Sequence, residues 1–277
     1  STKKIEITMN IQFVICTNAK NVHYTKTTIK SIKNTVKNPI IHIGGIIDPF
    51  KDDPSLILHD FSNEAINGYV GKLRNKTIEK TTSDIIVYCD DDVAYPENWY
   101  DNFCKWNDIN PNWNIMSNKI YLPNGGRYWD RAIIDDDTHM LVDYDHDILD
   151  KRLFFCATFF AIKRSCFDKN KFNETLKYYG GYSDKNMPVK AWKTAEDLEL
   201  SRRLYDNNYV IDFDKNNHVY HIAYNFSEML RPDNYNFRNV TVNNNFLQYE
   251  SEEARQITDQ DIKLKFESLL RDLKNEI

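Results

Sequence analysis

Two acidic elements of this chain carry residue types suited to chemistry. The first is Asp90-Asp91-Asp92, which follows directly on the apolar run "IIVYC" and precedes a turn at Pro96. Three adjacent carboxylates repel one another, so at the end of a buried strand they are costly unless a cation neutralises them; hard divalent ions take oxygen ligands. The bland alternative is a solvated acidic loop. An EF-hand is excluded, because the required glycine and later ligands are missing and Pro96 interrupts the loop. The second element is Glu196-Asp197 in "TAEDLELSRRLYDNN". Acids in the first turn of a helix are favoured by capping alone, yet a carboxylate is also what removes a proton from a weakly nucleophilic hydroxyl.

The elements that must position these groups read as alternating strands and helices. "IQFVIC" and "PIIHIGG" are short apolar strands, separated by a stretch with Thr28, Ile29, Ile32 and Val36 at helical spacing. "NGYVGKLRNKTIEKTTSD" predicts a helix with Val70, Leu73 and Thr77 or Ile78 inward, leading into "DIIVYC". That last run is apolar throughout, as befits a strand covered on both faces. Strand, helix, strand, helix, strand is the pattern of parallel α/β units. Further on, "RLFFCATFFAIKR" and "YVIDF" read as strands, and Thr194 is placed to cap the helix that carries Asp197. The C-terminal "TDQDIKLKFESLLRDLKNEI" reads as a packing helix, with Ile262, Phe266, Leu269 and Leu273 on one stripe. The expected organisation is a catalytic domain over residues 1–240 and a helical extension over 241–277 packed on it.

Composition narrows the function classes. A net charge of −5 over 277 residues provides no basic excess of the kind nucleic-acid binders show. The five cysteines form no C-x-x-C pair and are odd in number, which predicts free thiols in a reducing, cytoplasmic compartment. The longest apolar run, Leu153 to Ile162, is about half of a membrane span, and the chain opens on no secretory signal. Sequons at Asn75, Asn173, Asn225 and Asn239 carry little weight in so Asn-rich a sequence.

Taken in order, five stretches resemble GT-A-fold glycosyltransferases, specifically the family 2-like transferases that use nucleotide sugars. They are "FVICTNAKNVHYTKTTIKSI", "GKLRNKTIEKTTSDIIVYCDDD", "FFCATFFAIKRSCF" with "GGY", "AEDLELSRRL" and "HVYH", together spanning roughly Ile11 to His221. The resemblance implies a Rossmann-like, mostly parallel central sheet flanked by helices. It implies that Thr17, Asn18 and Arg74 lie at the nucleotide, with Asp91 and Gly181 also on the donor side. Asp90 and Asp92 match the two acids of the DXD motif, which implies that Asp92 binds Mn²⁺ or Mg²⁺, that Asp90 reaches the ribose or the metal, and that His221 is the third ligand, with His218 competing for that place. Asp197 matches the catalytic base and Glu196 an acceptor-orienting acid. The implied partners are a nucleotide-sugar donor, a UDP-sugar by default, and a glycan or other hydroxyl acceptor, with inversion of the anomeric centre.

The chain departs from that pattern in two places. After the second strand "HIGGIIDPF" offers only Asp48, where the family has an acid pair near the nucleobase. The segment Tyr121–Asp150 has no counterpart; it reads as an acceptor lid bearing Tyr128 and Trp129, as a solvated acidic loop, or as a separate metal site using His139 and His146. Two rival functions differ in kind: a sugar-phosphate nucleotidylyltransferase, and a catalytically silent glycan-binding protein derived from a transferase. The first needs a glycine-bearing phosphate loop after strand one, which "CTNAKNVHY" lacks; the intact acids at 90, 92 and 197 disfavour the second.

Overall fold

A computed structural model describes residues 10–123, 125–134, 139–142, 144, 153–176, 195–222, 248–249 and 260–275. Four parallel strands come first: β1 (Ile11–Thr17), β2 (Ile41–Gly45), β3 (Leu56–Asp60) and β4 (Ile85–Asp90). With β5 (Val93–Ala94), β6 (Ile115–Tyr121), β10 (Phe159–Lys163) and β11 (Ile211–His221) they form one sheet. Its order is β3-β2-β1-β4-β10-β6-β11-β5. β10 runs antiparallel between β4 and β6, and β11 is parallel to β6. A second, antiparallel sheet joins β7 (Arg131–Ile134), β8 (His139–Val142), β9 (Leu153–Phe155) and β12 (Gln248–Tyr249). The fold is therefore the mixed α/β, mostly parallel architecture that the alternating pattern predicts.

The central strands are covered on both faces, and alternation decides which residue goes where. Phe13, Ile15, Val87 and Cys89 enter one core with Ile29 and Ile32 of α1 (Val22–Thr35) and with Trp99 and Phe103 of α4 (Trp99–Ile109). Val14, Ile86 and Tyr88 enter the other, with Ile78 of α3 (Val70–Ile78) and Leu200 and Leu204 of α6 (Glu196–Asp206). Each such aliphatic side chain contributes about 1.5–3 kcal/mol on burial, which is why "IIVYC" carries no polar residue. Two short helices, α2 (Ser62–Ile66) and α5 (Arg164–Phe167), complete the connections. The last helix, α7 (Gln260–Asn275), stacks Phe266 on Tyr220 with ring centroids 4.7 Å apart. Among the described residues no helix is long and apolar enough to cross a membrane. All five cysteines are free thiols.

Three expectations about local structure change. "RLFFCATFFAIKR" is not one strand but two, β9 and β10, in different sheets, because the chain turns at Cys156–Thr158. The helix carrying Asp197 starts at Glu196, with Ala195 at the cap position and no capping side chain; Thr194 lies outside the described residues. The helix expected from "NGYVGKLRNKTIEKTTSD" forms only over Val70–Ile78.

The two glycines ending β2 have a packing cause. A Cβ on Gly44 would lie 1.9 Å from Thr77 Oγ1, and one on Gly45, at φ +120°, would lie 2.0 Å from the Thr17 carbonyl oxygen. Gly45→Ala is expected to cost about 2 kcal/mol or more, read as a lower urea midpoint at unchanged m-value. An unchanged midpoint would mean that the β1–β2 approach is not tight.

Candidate active site

β1, β2 and β4 end together at one edge of the sheet, and the aspartate triplet stands there. Its three members point to different partners. Asp90 donates its N–H to the Thr158 carbonyl (2.9 Å), and its Oδ1 accepts from Tyr88 Oη (2.9 Å) and Arg74 Nη2 (3.4 Å). Asp91 turns the other way, onto the hydroxyls of Thr17 (2.5 Å) and Thr25 (3.4 Å), while Thr28 Oγ1 donates to its carbonyl (3.2 Å). Burial pushes the Asp91 carboxyl up to about 7, with the two neighbouring aspartates adding to that and Thr17 opposing it. Asp91 thus ties the triplet to β1 and α1. Asp92 places Oδ1 3.4 Å from His221 Nε2; burial raises its carboxyl, which His221 partly offsets.

The geometry also separates the two histidines. β11 pairs with β6 in register up to Asp214↔Asn118 and resumes at His218↔Lys119, so residues 215–217 form a bulge. Beyond it, His221 pairs with Val93, and the Ile222 N–H donates to the Asp92 carbonyl (2.7 Å). Tyr128 stacks on the His221 ring at 4.9 Å and 9°. His218 instead meets Tyr220 Oη (3.0 Å), and burial pushes its imidazole down to about 4. His221 is the histidine at the triplet.

The second acidic cluster joins the first through a buried cation. Arg74, 1% exposed, pairs with Glu196 Oε1 through Nη1 and with Asp90 Oδ1 through Nη2. Its guanidinium lies over the rings of Tyr88 (5.0 Å) and Phe172 (5.4 Å). Asn75 fixes that second ring by bonding both the N–H and the C=O of Phe172, each at 2.9 Å. Asp197 accepts from the Ala157 N–H (3.3 Å) through Oδ2 and from the Leu198 N–H (2.9 Å) through Oδ1. The Cys156–Thr158 turn is the hub: Ala157 N–H holds Asp197, Ala157 C=O accepts from Arg74 (3.5 Å), and Thr158 C=O accepts from Asp90. Burial first, then the Glu196 charge, push the Asp197 carboxyl up to about 7, against Arg74 and the two N–H bonds. The first-turn position alone would favour the anion, but a helix terminus contributes only about 0.3–1 kcal/mol, less than desolvation here.

The remaining predicted residues are placed unevenly. Thr17 is buried with its hydroxyl on Asp91, whereas Asn18 is exposed and accepts from the Lys20 N–H (3.0 Å). Ala19 between them holds φ +56°, a left-handed conformation that an alanine keeps only where the loop is over-determined. Asp48 is exposed and pairs with Lys51 (2.6 Å). Trp129 is packed in the core, not presented as a platform, whereas Tyr128 lies on His221. Gly181 and His146 lie outside the described residues, as does the side chain of His139. Among the described residues no three His, Cys, Asp or Glu side chains form a complete metal cage. Sequence reasoning missed Tyr88 and the Cys156–Thr158 turn, concealed in the apolar strand and the strand-like run, and the bonds that Asn75 of α3 makes to Phe172.

No family profile matches the chain, and no curated protein matches it significantly. Solved structures share its fold. GalNAc-T7 with UDP, GalNAc and Mn²⁺ superposes with a TM-score of 0.59 at 14% identity, covering 78% of this chain and 44% of that one. S. aureus TarS gives 0.50 at 14% identity, over 78% and 37% of the two chains. TarS residues 1–349 in complex with UDP-GlcNAc gives 0.50 at 12%, over 78% and 59%. The architecture is the fold of these GT-A-type structures, and the chain spans less than two thirds of each of them.

Proposed function

We propose that this chain is a metal-dependent glycosyltransferase. It moves a sugar from a nucleoside-diphosphate sugar, a UDP-sugar in the first instance, to a hydroxyl of a glycan or other acceptor, with inversion. The observation that carries this reading is a buried cation, Arg74, bridging Asp90 of one acidic cluster to Glu196 of the other. That link holds a cation-binding edge and a proton-accepting carboxylate in one fixed relation, which single displacement requires. Relatives of the same fold solved with UDP and Mn²⁺ or with UDP-GlcNAc support the donor class.

The acceptor hydroxyl oxygen attacks the anomeric carbon as the bond from that carbon to the diphosphate oxygen breaks. The hydroxyl proton passes to Asp197, and the bonding pair leaves with the nucleoside diphosphate. Asp197 is held by the Ala157 and Leu198 N–H groups, so its carboxylate is aimed before substrate arrives. Glu196 faces Arg74 and acts by positioning. Asp92 and His221 would hold the ion through carboxylate oxygen and one imidazole nitrogen, a donor set that suits Mn²⁺ better than Mg²⁺. When bound, the ion supplies Lewis-acid neutralisation of charge on the departing diphosphate.

UDP should bind the protein in Mn²⁺ and lose about tenfold or more in affinity on chelation with EDTA, or in Asp92→Asn, whose fold should be intact. Calorimetry returning equal affinity with and without the ion would sink the metal reading.

A further inference from the structure

A cavity of about 370 Å³ opens at the edge of the large sheet, on the far side of the β11 bulge from His221. β5 covers β11 only at Tyr220 and His221, so the first half of β11 is not paired on that side by β5. Asp214 lines this cavity and is 1% exposed. Its Oδ1 accepts from the Asn216 N–H (3.0 Å) and so shapes the bulge, but its Oδ2 meets no hydrogen-bond partner. A buried acceptor left unsatisfied costs about 1–3 kcal/mol, so the geometry calls for a donor from outside.

The surroundings define which donor. Asp130 is already spent, on Arg127 (2.7 Å), on Tyr144 Oη (2.6 Å) and on the Ile120 N–H (3.0 Å). Beside it Asp212, Asp214, Arg131 and Lys215 line the cavity, side chains of both signs. A balanced field favours a neutral ligand over a free cation or anion. Trp106 supplies a flat apolar wall, half-buried and held against Trp113 at 5.9 Å. Hydroxyl donors around an apolar ring face are the chemistry of a saccharide.

We propose that this cavity is a second saccharide-binding site, with a sugar hydroxyl donating to Asp214 Oδ2 and the ring laid on Trp106. Resting on the glycosyl-transfer reading, it holds a unit of the acceptor glycan away from the reacting hydroxyl. β9 lines the cavity and leads, three residues long, into the turn that holds Asp197, a span of about 10 Å. An acceptor occupying both places is therefore an extended glycan.

The test uses the whole chain with isotope-labelled tryptophan and follows the Trp106 indole signal, assigned with Trp106→Phe. Cellobiose, lactose and N,N′-diacetylchitobiose are the neutral probes and spermidine the cationic one. At least one disaccharide should move the signal saturably, with or without UDP and Mn²⁺, and should bind about tenfold or more weakly in Asp214→Asn. That variant keeps the amide oxygen for Asn216, while it removes the carboxylate charge and turns the second acceptor into a donor. Trp106→Leu, read by calorimetry, should weaken the same disaccharide and carries the test if Asp214→Asn fails to fold. No response to any disaccharide, an equal response in Asp214→Asn, or a response to spermidine alone would overturn the proposal; the first leaves a trapped water as the occupant. UDP-sugar hydrolysis is measured in parallel. Its absence in the unmodified protein counts against glycosyl transfer and not against the cavity, because the indole reports binding alone.

Discussion

Asp197→Asn should lower transfer to acceptor by about 10²–10⁴-fold, the usual worth of a positioned general base, while donor binding survives. The substitution keeps one oxygen for the backbone N–H groups, and it removes a charge that the site disfavours. An acid whose folded pKa is raised binds more protons folded than unfolded, so its contribution falls as pH climbs from about 4 to about 7. Asp197→Asn should therefore be no less stable than the parent above pH of about 7, by thermal melts. The same carboxyl must be ionised to act, so kcat/KM should rise through a limb near pH of about 7 and flatten above it. Near-normal transfer by Asp197→Asn would move the base elsewhere, with Glu196→Gln the next substitution to measure.

Arg74→Met should be the most destabilising single change in the site, by about 3–5 kcal/mol. The guanidinium is 1% exposed, and its loss leaves Glu196 buried without its cation and Asp90 with Tyr88 alone on Oδ1. Two aromatic rings also lose the charge they flank. Against a total of about 5–15 kcal/mol, such a loss brings the fold close to its limit. Arg74→Met combined with Glu196→Gln should recover part of it, because a neutral amide tolerates burial better than an unpaired carboxylate. Urea unfolding of the two single variants and the double measures that coupling; a single-variant loss under about 1 kcal/mol would show that Arg74 is not bracing the clusters.

Much of this was legible in the residues. The apolar run before the aspartates read as a strand covered on both faces, and the spacing of Ile29 with Ile32 marked the inward face of α1. What composition could not carry was direction. Asp90, Asp91 and Asp92 are chemically identical in a string, yet the strand ends at Asp90 and the turn at Asp91 and Asp92 sends the three to Arg74, Thr17 and His221 respectively. His218 and His221 are equally eligible until the bulge at residues 215–217 resets the register. The turn at Cys156–Thr158 escaped because small and apolar residues continue through it, with neither glycine nor proline to mark the reversal. Arg74 is placed at the nucleotide by the resemblance alone; nothing local marks it as buried between the ring of Phe172 and the carboxylate of Glu196, both distant in sequence.

The place of β10 in the sheet has a consequence for the order in which the molecule can be made. β4 is finished once residue 90 is synthesised, but the strand that covers its second edge arrives only with residues 159–163. During that interval an apolar strand, already paired with β1, presents a row of unmet N–H and C=O groups. β6 is made in the meantime yet cannot dock beside β4, since β10 must lie between them. At about 5–20 residues per second the ribosome leaves that edge open for several seconds. Arg74 waits longer still, since Glu196 follows it by 122 positions. A chain cut short before Lys163 is thus a sticky half-sheet, and the acidic edge comes into being only when the last third of the chain closes over it.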